Sequence, residues 1–406
     1  MAGLPAFERA MYESDFRAAD EAYYSGRVAA ATKARESVWS NWERYVAPLG
    51  LDPFLEMATH SNRIRALSGF AARARTGFFG RGRKVQSGTV SGQLSSIGSS
   101  IAMATGVNPT KVHGSDKYAP RLSQMLDGMS RADPPTEKKL PVEADVPEWL
   151  AMAGTAPGAT ELIKAVGDNA LIAFYFLLRI GEYSTRPGQA NDKLTDQFKV
   201  KDVTFFKRVR GRLKQLGPRA TKAQILSADA ATLRIGNQKN GWKNVCIHHE
   251  ATGDLYYCCI KALGRRVVHI MENGGTGNTW LSAYWEKGES RRDVTDKDMR
   301  AGIKMAAQEL DYPGRKGIPI ERVDTHSLRI GGATVLALSG YTDTQIQKMG
   351  RWRSATFKEY VRSELAGYST GMSKAMKKNF NFVHVVGDGH TIVTDMVVGM
   401  DYDVRQ

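Results

Sequence analysis

Apolar residues recur at i, i+3, i+4 spacing through the first third of the chain. Trp39, Trp42, Tyr45 and Val46 form one stripe, Ile64, Leu67, Phe70 and Ala71 a second, and Leu94, Ile97 and Ile101 a third that Gly106 ends. β-branched alternation is scarce there, so residues 31–132 are predicted to form a bundle of four or five short helices, with a leader helix within 1–30. The run from Asp133 through Pro134, Pro135, Thr136, Glu137, Lys138, Lys139 and Leu140 to Pro141 is read as the start of a linker over 133–145, because proline fixes φ and lacks an N–H donor. Beyond it the patterns mix. Residues 160–182 predict one helix, 196–206 and 231–249 predict strands, and 256–272, 294–310 and 326–364 predict helices. In the tail, 371–406, the runs FNFVHVV and TIVTDMVV flank Val386-Gly387-Asp388-Gly389 and predict a β-hairpin. The expected class is α+β, mainly helical: a helical bundle, then over 146–370 a mixed domain with a small antiparallel sheet.

Charge narrows the function. The 406 residues carry 57 Lys and Arg against 42 Asp and Glu, a net +15, which favours a polyanionic partner. The segment 69–85 holds Arg73, Arg75, Arg81, Arg83 and Lys84 without an acid, together with glycines and Phe78-Phe79. Backbone N–H, Arg and Lys all bind phosphate oxygens, so this is expected to be a phosphate-contacting loop. The longest apolar run, Ala170 to Leu178, is far below the roughly 20 residues of a membrane span, and charge interrupts the N-terminus too early for a signal peptide. Cys246, Cys258 and Cys259 are too few for a disulfide framework and match no zinc spacing. His248 and His249, adjacent on a strand, would point to opposite faces. Neither a metal nor a cofactor is expected, and the chain reads as soluble and housed in a reducing compartment.

Four further segments carry candidate chemistry. In Asp324-Thr325-His326-Ser327-Leu328-Arg329-Ile330-Gly331-Gly332, Asp or Thr can cap a helix, and His326 and Arg329 then share a face at i, i+3 near its N-terminus. In Met349-Gly350-Arg351-Trp352-Arg353-Ser354, Gly350 is expected at C′ of one short helix and Ser354 as the cap of the next, which would carry Tyr360. Arg179 ends an apolar helical run, with Glu182 at i+3 to hold its guanidinium. Lys239 directly precedes Asn240-Gly241, a strong hairpin signal between two strand-like runs, which selects it over Lys243.

Arg179, Lys239, His326-x-x-Arg329, the Trp352 region and Tyr360 stand in the order and approximate spacing of the tyrosine recombinase (phage integrase-like) family. FYFLLRIGEY, NQKNG, THSLRIGGA and GRWRSATFKEY resemble most the recombinases of DIRS-like and Crypton-like eukaryotic mobile elements. The resemblance covers about 160–365 and extends more loosely to the helical part, which it makes a core-binding domain. Family members place His or Trp directly after the Gly, nine residues before the Tyr. Here Arg351 stands there by counting and Trp352 one later; residue type favours Trp352.

The resemblance implies phosphoryl transfer at a DNA phosphodiester. Tyr360 would attack, leaving a 3′-phosphotyrosyl link. Arg179 and Arg329 would clamp the nonbridging oxygens and Lys239 would protonate the leaving 5′ oxygen. His326 would accept or share the tyrosine proton, and Trp352 would pack or hydrogen-bond at the phosphate. Double-stranded DNA, bound by a homo-tetramer on two sites, is the implied partner, with no membrane involved. The location would be the nucleus for a eukaryotic mobile element and the cytoplasm otherwise. A type IB topoisomerase-like relaxing enzyme and an inactive DNA-binding derivative of a mobile element are the alternatives.

Overall fold

The computed structural model describes residues 5–25, 29–135, 138–185, 195–237, 243–352 and Lys358. Lys239, Tyr360 and the expected tail hairpin lie outside these residues.

Helix α1 (Ala6–Ser25) comes first, followed by α2 (Ala29–Val46), α3 (His60–Arg75), α4 (Ser87–Thr105) and α5 (Pro120–Arg131). Local chemistry sets several ends. The Thr59 hydroxyl accepts from the Asn62 amide at the start of α3, Gly106 closes α4 at φ 77°, and Pro120 opens α5. The apolar stripes of α2–α5 meet in one core around Trp42, Leu67, Phe70, Leu94, Ile97 and Leu122. Trp42 lies edge-on to Phe70 at 5.5 Å, and its indole donates to the Pro53 carbonyl at 2.8 Å.

The described residues on either side of the proline-rich stretch are tied down by hydrogen bonds. The Asp133 carboxylate accepts from the Ser87 amide at 2.8 Å and pairs with Arg75. Farther along, the Leu140 amide donates to the Arg322 carbonyl at 2.9 Å, and the Val142 amide to the Ser327 carbonyl at 3.3 Å.

Most of the elements that follow surround a second core: α6 (Asp145–Ala153), α7 (Glu161–Tyr175), α8 (Ile180–Tyr183), β1 (Val203–Val209), the edge strand β2 (Arg212–Gln215) outside it, α9 (Lys222–Leu226), β3 (Ala230–Asn237), β4 (Lys243–Glu250) and α10 (Cys259–Glu272). β5 (Ala283–Tyr284), β6 (Arg292–Asp293), α11 (Asp296–Glu309), α12 (Tyr312–Lys316), α13 (Thr325–Leu338) and α14 (Asp343–Gly350) follow, and Ala333 of α13 and Ile346 of α14 form a smaller cluster with Leu177 and Trp352. β1–β4 form an antiparallel sheet in the order β2-β1-β3-β4, with Phe205 opposite Ala231 and Leu233 opposite Ile247. β5 pairs with β6. The chain is thus α+β with a small antiparallel sheet. β2 was not expected: RLKQ has a single apolar residue, the signature of a charged edge strand rather than an alternating one.

The single helix expected over 160–182 is broken. Residues 165–174 of α7 are buried on every side, as an all-round apolar helix must be. The helix then stops at Tyr175. Leu177 takes a left-handed φ of 48°, its amide donates to the Phe174 carbonyl at 3.4 Å, and the Leu178 amide reaches back to the Ala173 carbonyl at 2.9 Å. This is a Schellman end with leucine where glycine is usual. Arg179 therefore does not end α7 but stands at the start of α8, where its amide donates to Glu182 at 2.9 Å.

Candidate active site

The first turns of α13 supply two side chains. Asp324 caps the helix, accepting from the Thr325 amide at 2.7 Å, and this sets His326 and Arg329 one turn apart. Gly331 and Gly332 let the helix sit tightly. A Cβ at Gly331 would run into the Val142 carbonyl, and one at Gly332 into the Phe174 carbonyl at 2.5 Å. The helix carrying Arg329 is thus pressed against both the end of α7 and the backbone at Val142.

Arg329 is buried and donates to the carbonyls of Leu177 and Gly350. Its guanidinium also lies 4.2 Å from the centroid of the Trp352 ring, a cation–π contact in a desolvated place. Arg179 approaches the same region from α8. Its guanidinium reaches Glu182 at 3.4 Å and keeps 33% side-chain exposure, whereas Glu182 keeps 1%.

Glu182 has a second cation. Arg351, fully buried, donates to Glu182 at 2.9 Å and to the Leu177 carbonyl at 3.1 Å. Its position corrects the expectation for the end of α14. Gly350 is the last helical residue, and Arg351 takes the left-handed conformation at φ 58°. The Trp352 amide then bonds the Gln347 carbonyl at 3.0 Å, a second Schellman end without glycine at C′. The glycine is needed one position earlier, because a Cβ at Gly350 would fall inside the Trp352 ring. Of the two residues weighed for the position after Gly350, Arg351 turns inward to Glu182 while Trp352 presents its ring to Arg329.

Three guanidiniums, those of Arg179, Arg329 and Arg351, gather here around the buried Glu182 carboxylate, so positive charge favours an anion. His326 feels that excess. Burial first, then the Arg329 and Arg179 guanidiniums, push its pKa down to about 4 against a partial opposing pull from Asp324. At neutral pH its imidazole is uncharged, and burial and the two guanidiniums hold its affinity for a proton low. Burial likewise lowers the Arg351 pKa while Glu182 opposes the shift.

The structure therefore brings together Arg179, Glu182, His326, Arg329 and Trp352, and adds Arg351. What sequence reading missed is the Leu177 carbonyl, which two guanidiniums share, and Arg351's partner, which lies far away in the chain. The basic stretch near residue 75 is sorted as well. Arg73, Arg81, Arg83 and Lys84 are exposed, with Arg73 lying 5.2 Å from the Tyr45 ring centroid and 5.1 Å from that of Phe78. Arg75 does not face solvent as expected. It is buried against Asp133 and donates to the Val85 and Met129 carbonyls, so its donors are spent inside the bundle.

Among the described residues, no three or more His, Cys, Asp or Glu side chains gather as a metal site would require, and no helix is long and apolar enough to cross a membrane. His248 bonds Thr232 at 3.0 Å, while the His249 ring packs 4.6 Å from that of Phe176.

No protein-family model and no curated protein matches the chain. Among solved structures it is similar to the Tn1549 transposon integrase in complex with a circular intermediate DNA, at 15% identity and a TM-score of 0.42 over 88% of this chain and 97% of that one. It is also similar to the XerH site-specific recombinase bound to a palindromic difH substrate, at 14% identity and a TM-score of 0.45 over 78% and 72%. XerA recombinase is similar at 14% identity and a TM-score of 0.34 over 89% and 96%.

Proposed function

We propose that this chain is a tyrosine-type DNA strand transferase, a site-specific recombinase or integrase of DIRS-like or Crypton-like kind. The observation that carries the reading is the meeting of Arg179, His326 and Arg329, from helices distant in sequence, in a half-buried region with excess positive charge. The same chain supplies Lys239 and Tyr360 in the order the recombinase resemblance requires.

The chemistry follows from the residue types. The Tyr360 oxygen attacks the phosphorus and the bond to the 5′ oxygen breaks, leaving a 3′-phosphotyrosyl ester. Lys239 gives the departing oxygen its proton. Arg179 and Arg329, as planar forked donors, offset charge on the nonbridging oxygens better than point charges would. His326, held neutral, accepts or shares the phenolic proton. A tyrosine with an ordinary pKa near 10 ionises more readily beside two guanidiniums. Trp352 backs the Arg329 guanidinium and packs at the phosphate. One ester is exchanged for another, so the step needs no ATP. Attack by a 5′ hydroxyl of a second strand reverses it and frees Tyr360.

The duplex is gripped by Arg73, Arg81, Arg83 and Lys84 through its phosphates. A homo-tetramer on two sites performs the exchange, with the tail segment 380–398 or the segment after Tyr360 docking on a neighbour, and in a eukaryotic host it works in the nucleus. The test uses nicked duplexes built from the repeats in the DNA flanking the gene. The wild type should form a covalent adduct that Tyr360→Phe does not, and it should exchange strands between two duplexes. Supercoil relaxation by a monomer, without exchange, would favour a topoisomerase instead. DNA binding with no adduct would favour an inactive derivative.

A further inference from the structure

The geometry points to Arg351 as a positioning residue that locks the two phosphate-clamping arginines to one another without touching the phosphate itself. It is wholly buried, and its Nη2 donates both to Glu182 at 2.9 Å and to the Leu177 carbonyl at 3.1 Å. Each of those acceptors also serves a clamp residue. Glu182 takes the Arg179 guanidinium at 3.4 Å and the Arg179 amide at 2.9 Å, and the Leu177 carbonyl takes Arg329. Arg329 returns to the end of α14 through the Gly350 carbonyl, next to Arg351 itself. The chain of contacts is thus closed: Arg179, Glu182, Arg351, the Leu177 carbonyl, Arg329, Gly350 and back to Arg351 along the backbone.

Two features suit this residue to the task. Glu182 is 1% exposed, and Arg351, 0% exposed and 2.9 Å away, is the cation that matches its burial, closer than the partly exposed Arg179 at 3.4 Å. The guanidinium fork also uses its second arm: Nη1 donates to the Phe176 carbonyl at 3.5 Å while Nη2 serves Glu182 and Leu177, a spread that a lysine ammonium on a flexible stem holds less rigidly. The left-handed φ of Arg351 turns its side chain inward while Trp352, one residue on, faces Arg329. The GRW sequence therefore divides the labour: the arginine holds the frame and the tryptophan backs the reacting guanidinium.

The chemical part of this inference rests on the strand-transferase reading, and the connectivity rests on the contacts alone, so the experiment has two arms. The full chain is compared with Arg351→Met and Arg351→Lys. In the first arm, hydrogen–deuterium exchange is followed over 176–184 and over the β1–β4 sheet. Arg351→Met should speed exchange over 176–184 by about tenfold while leaving the sheet unchanged, and Arg351→Lys should restore part of the protection. Unchanged protection over 176–184 overturns the positioning role whatever the enzyme does, and global loosening in both variants overturns it in favour of a merely structural one. In the second arm, adduct formation is measured on nicked duplexes carrying the flanking repeats. Arg351→Met should slow the chemical step roughly 100-fold at unchanged DNA affinity, with partial rescue by Arg351→Lys. A wild-type rate in Arg351→Met, beside loosened exchange, overturns the link to catalysis. A wild type that forms no adduct removes the strand-transferase reading, and the exchange arm still decides the connectivity.

Discussion

Leu177 and Arg351 hold equivalent places at the ends of different helices, and one donates to the other. Both are left-handed, at φ 48° and 58°, and the Arg351 guanidinium donates to the Leu177 carbonyl at 3.1 Å. Left-handed backbone costs a residue with a Cβ about 1–2 kcal/mol. The cost persists at both positions because the turned-out carbonyl of Leu177 receives two buried guanidiniums, from Arg329 and Arg351. Charge-assisted hydrogen bonds of this kind offset it.

The close seat of α13 predicts opposite outcomes for two similar substitutions. Gly331→Ala drives a methyl into the Val142 carbonyl, so urea unfolding should show a loss of about 1–3 kcal/mol. Adduct formation should fall with it, because Arg329 is two residues away. Gly92→Ala, within α4 where an added Cβ meets open space, should instead gain about 0.5–1 kcal/mol. Equal effects at the two sites would contradict the packing described here.

Two histidines predict a loss of stability in mild acid. His326 and His249 each have a pKa pushed down to about 4, chiefly by burial. Unfolded, both titrate near 6.5. Between these values the unfolded chain binds more protons than the folded one, so stability that is full above about pH 6.5 declines as pH falls towards 4. His249→Phe keeps a ring beside Phe176 and removes one of the protons taken up on unfolding. Its urea midpoint should decline less steeply over that window than the wild type's. An unchanged slope would count against a buried, neutral His249.

The arginines around residue 75 should separate into two behaviours. Arg75→Ala should lower the thermal midpoint by several degrees, since it strips a partner from Asp133 and donors from the Val85 and Met129 carbonyls. Arg81→Ala and Arg83→Ala, at exposed positions, should leave the midpoint unchanged. Each should reduce the slope of log affinity against log salt for duplex DNA by about 0.9. A salt slope that neither exposed variant alters would move the DNA interface elsewhere.

What the sequence made legible, and what it hid, follows from the range of each signal. The bundle stripes of Trp42, Phe70 and Leu94 and the i, i+3 pairing of His326 with Arg329 are local, and they survive in the structure. The break after Tyr175 was hidden because the usual sign of a Schellman end is glycine at C′, and here Leu177 and Arg351 occupy it. Gly350 misled for the same reason: its role is to leave room for the Trp352 ring, a constraint only packing reveals. Arg75 looked like its exposed neighbours because its partners, Asp133 and the Met129 carbonyl, lie far along the chain. Glu182 was legible as a partner of Arg179, and its second partner, Arg351, lies 169 residues away and was not.

The central claim is that the residue becoming esterified to DNA is Tyr360, and peptide mapping of the trapped adduct tests it most directly. Wild-type protein is trapped on a nicked duplex from the flanking repeats, digested with protease and nuclease, and sequenced by mass spectrometry. The account predicts a nucleotide remnant on Tyr360 alone and no adduct in Tyr360→Phe. A remnant on any other side chain, or an adduct that persists in Tyr360→Phe, would contradict it.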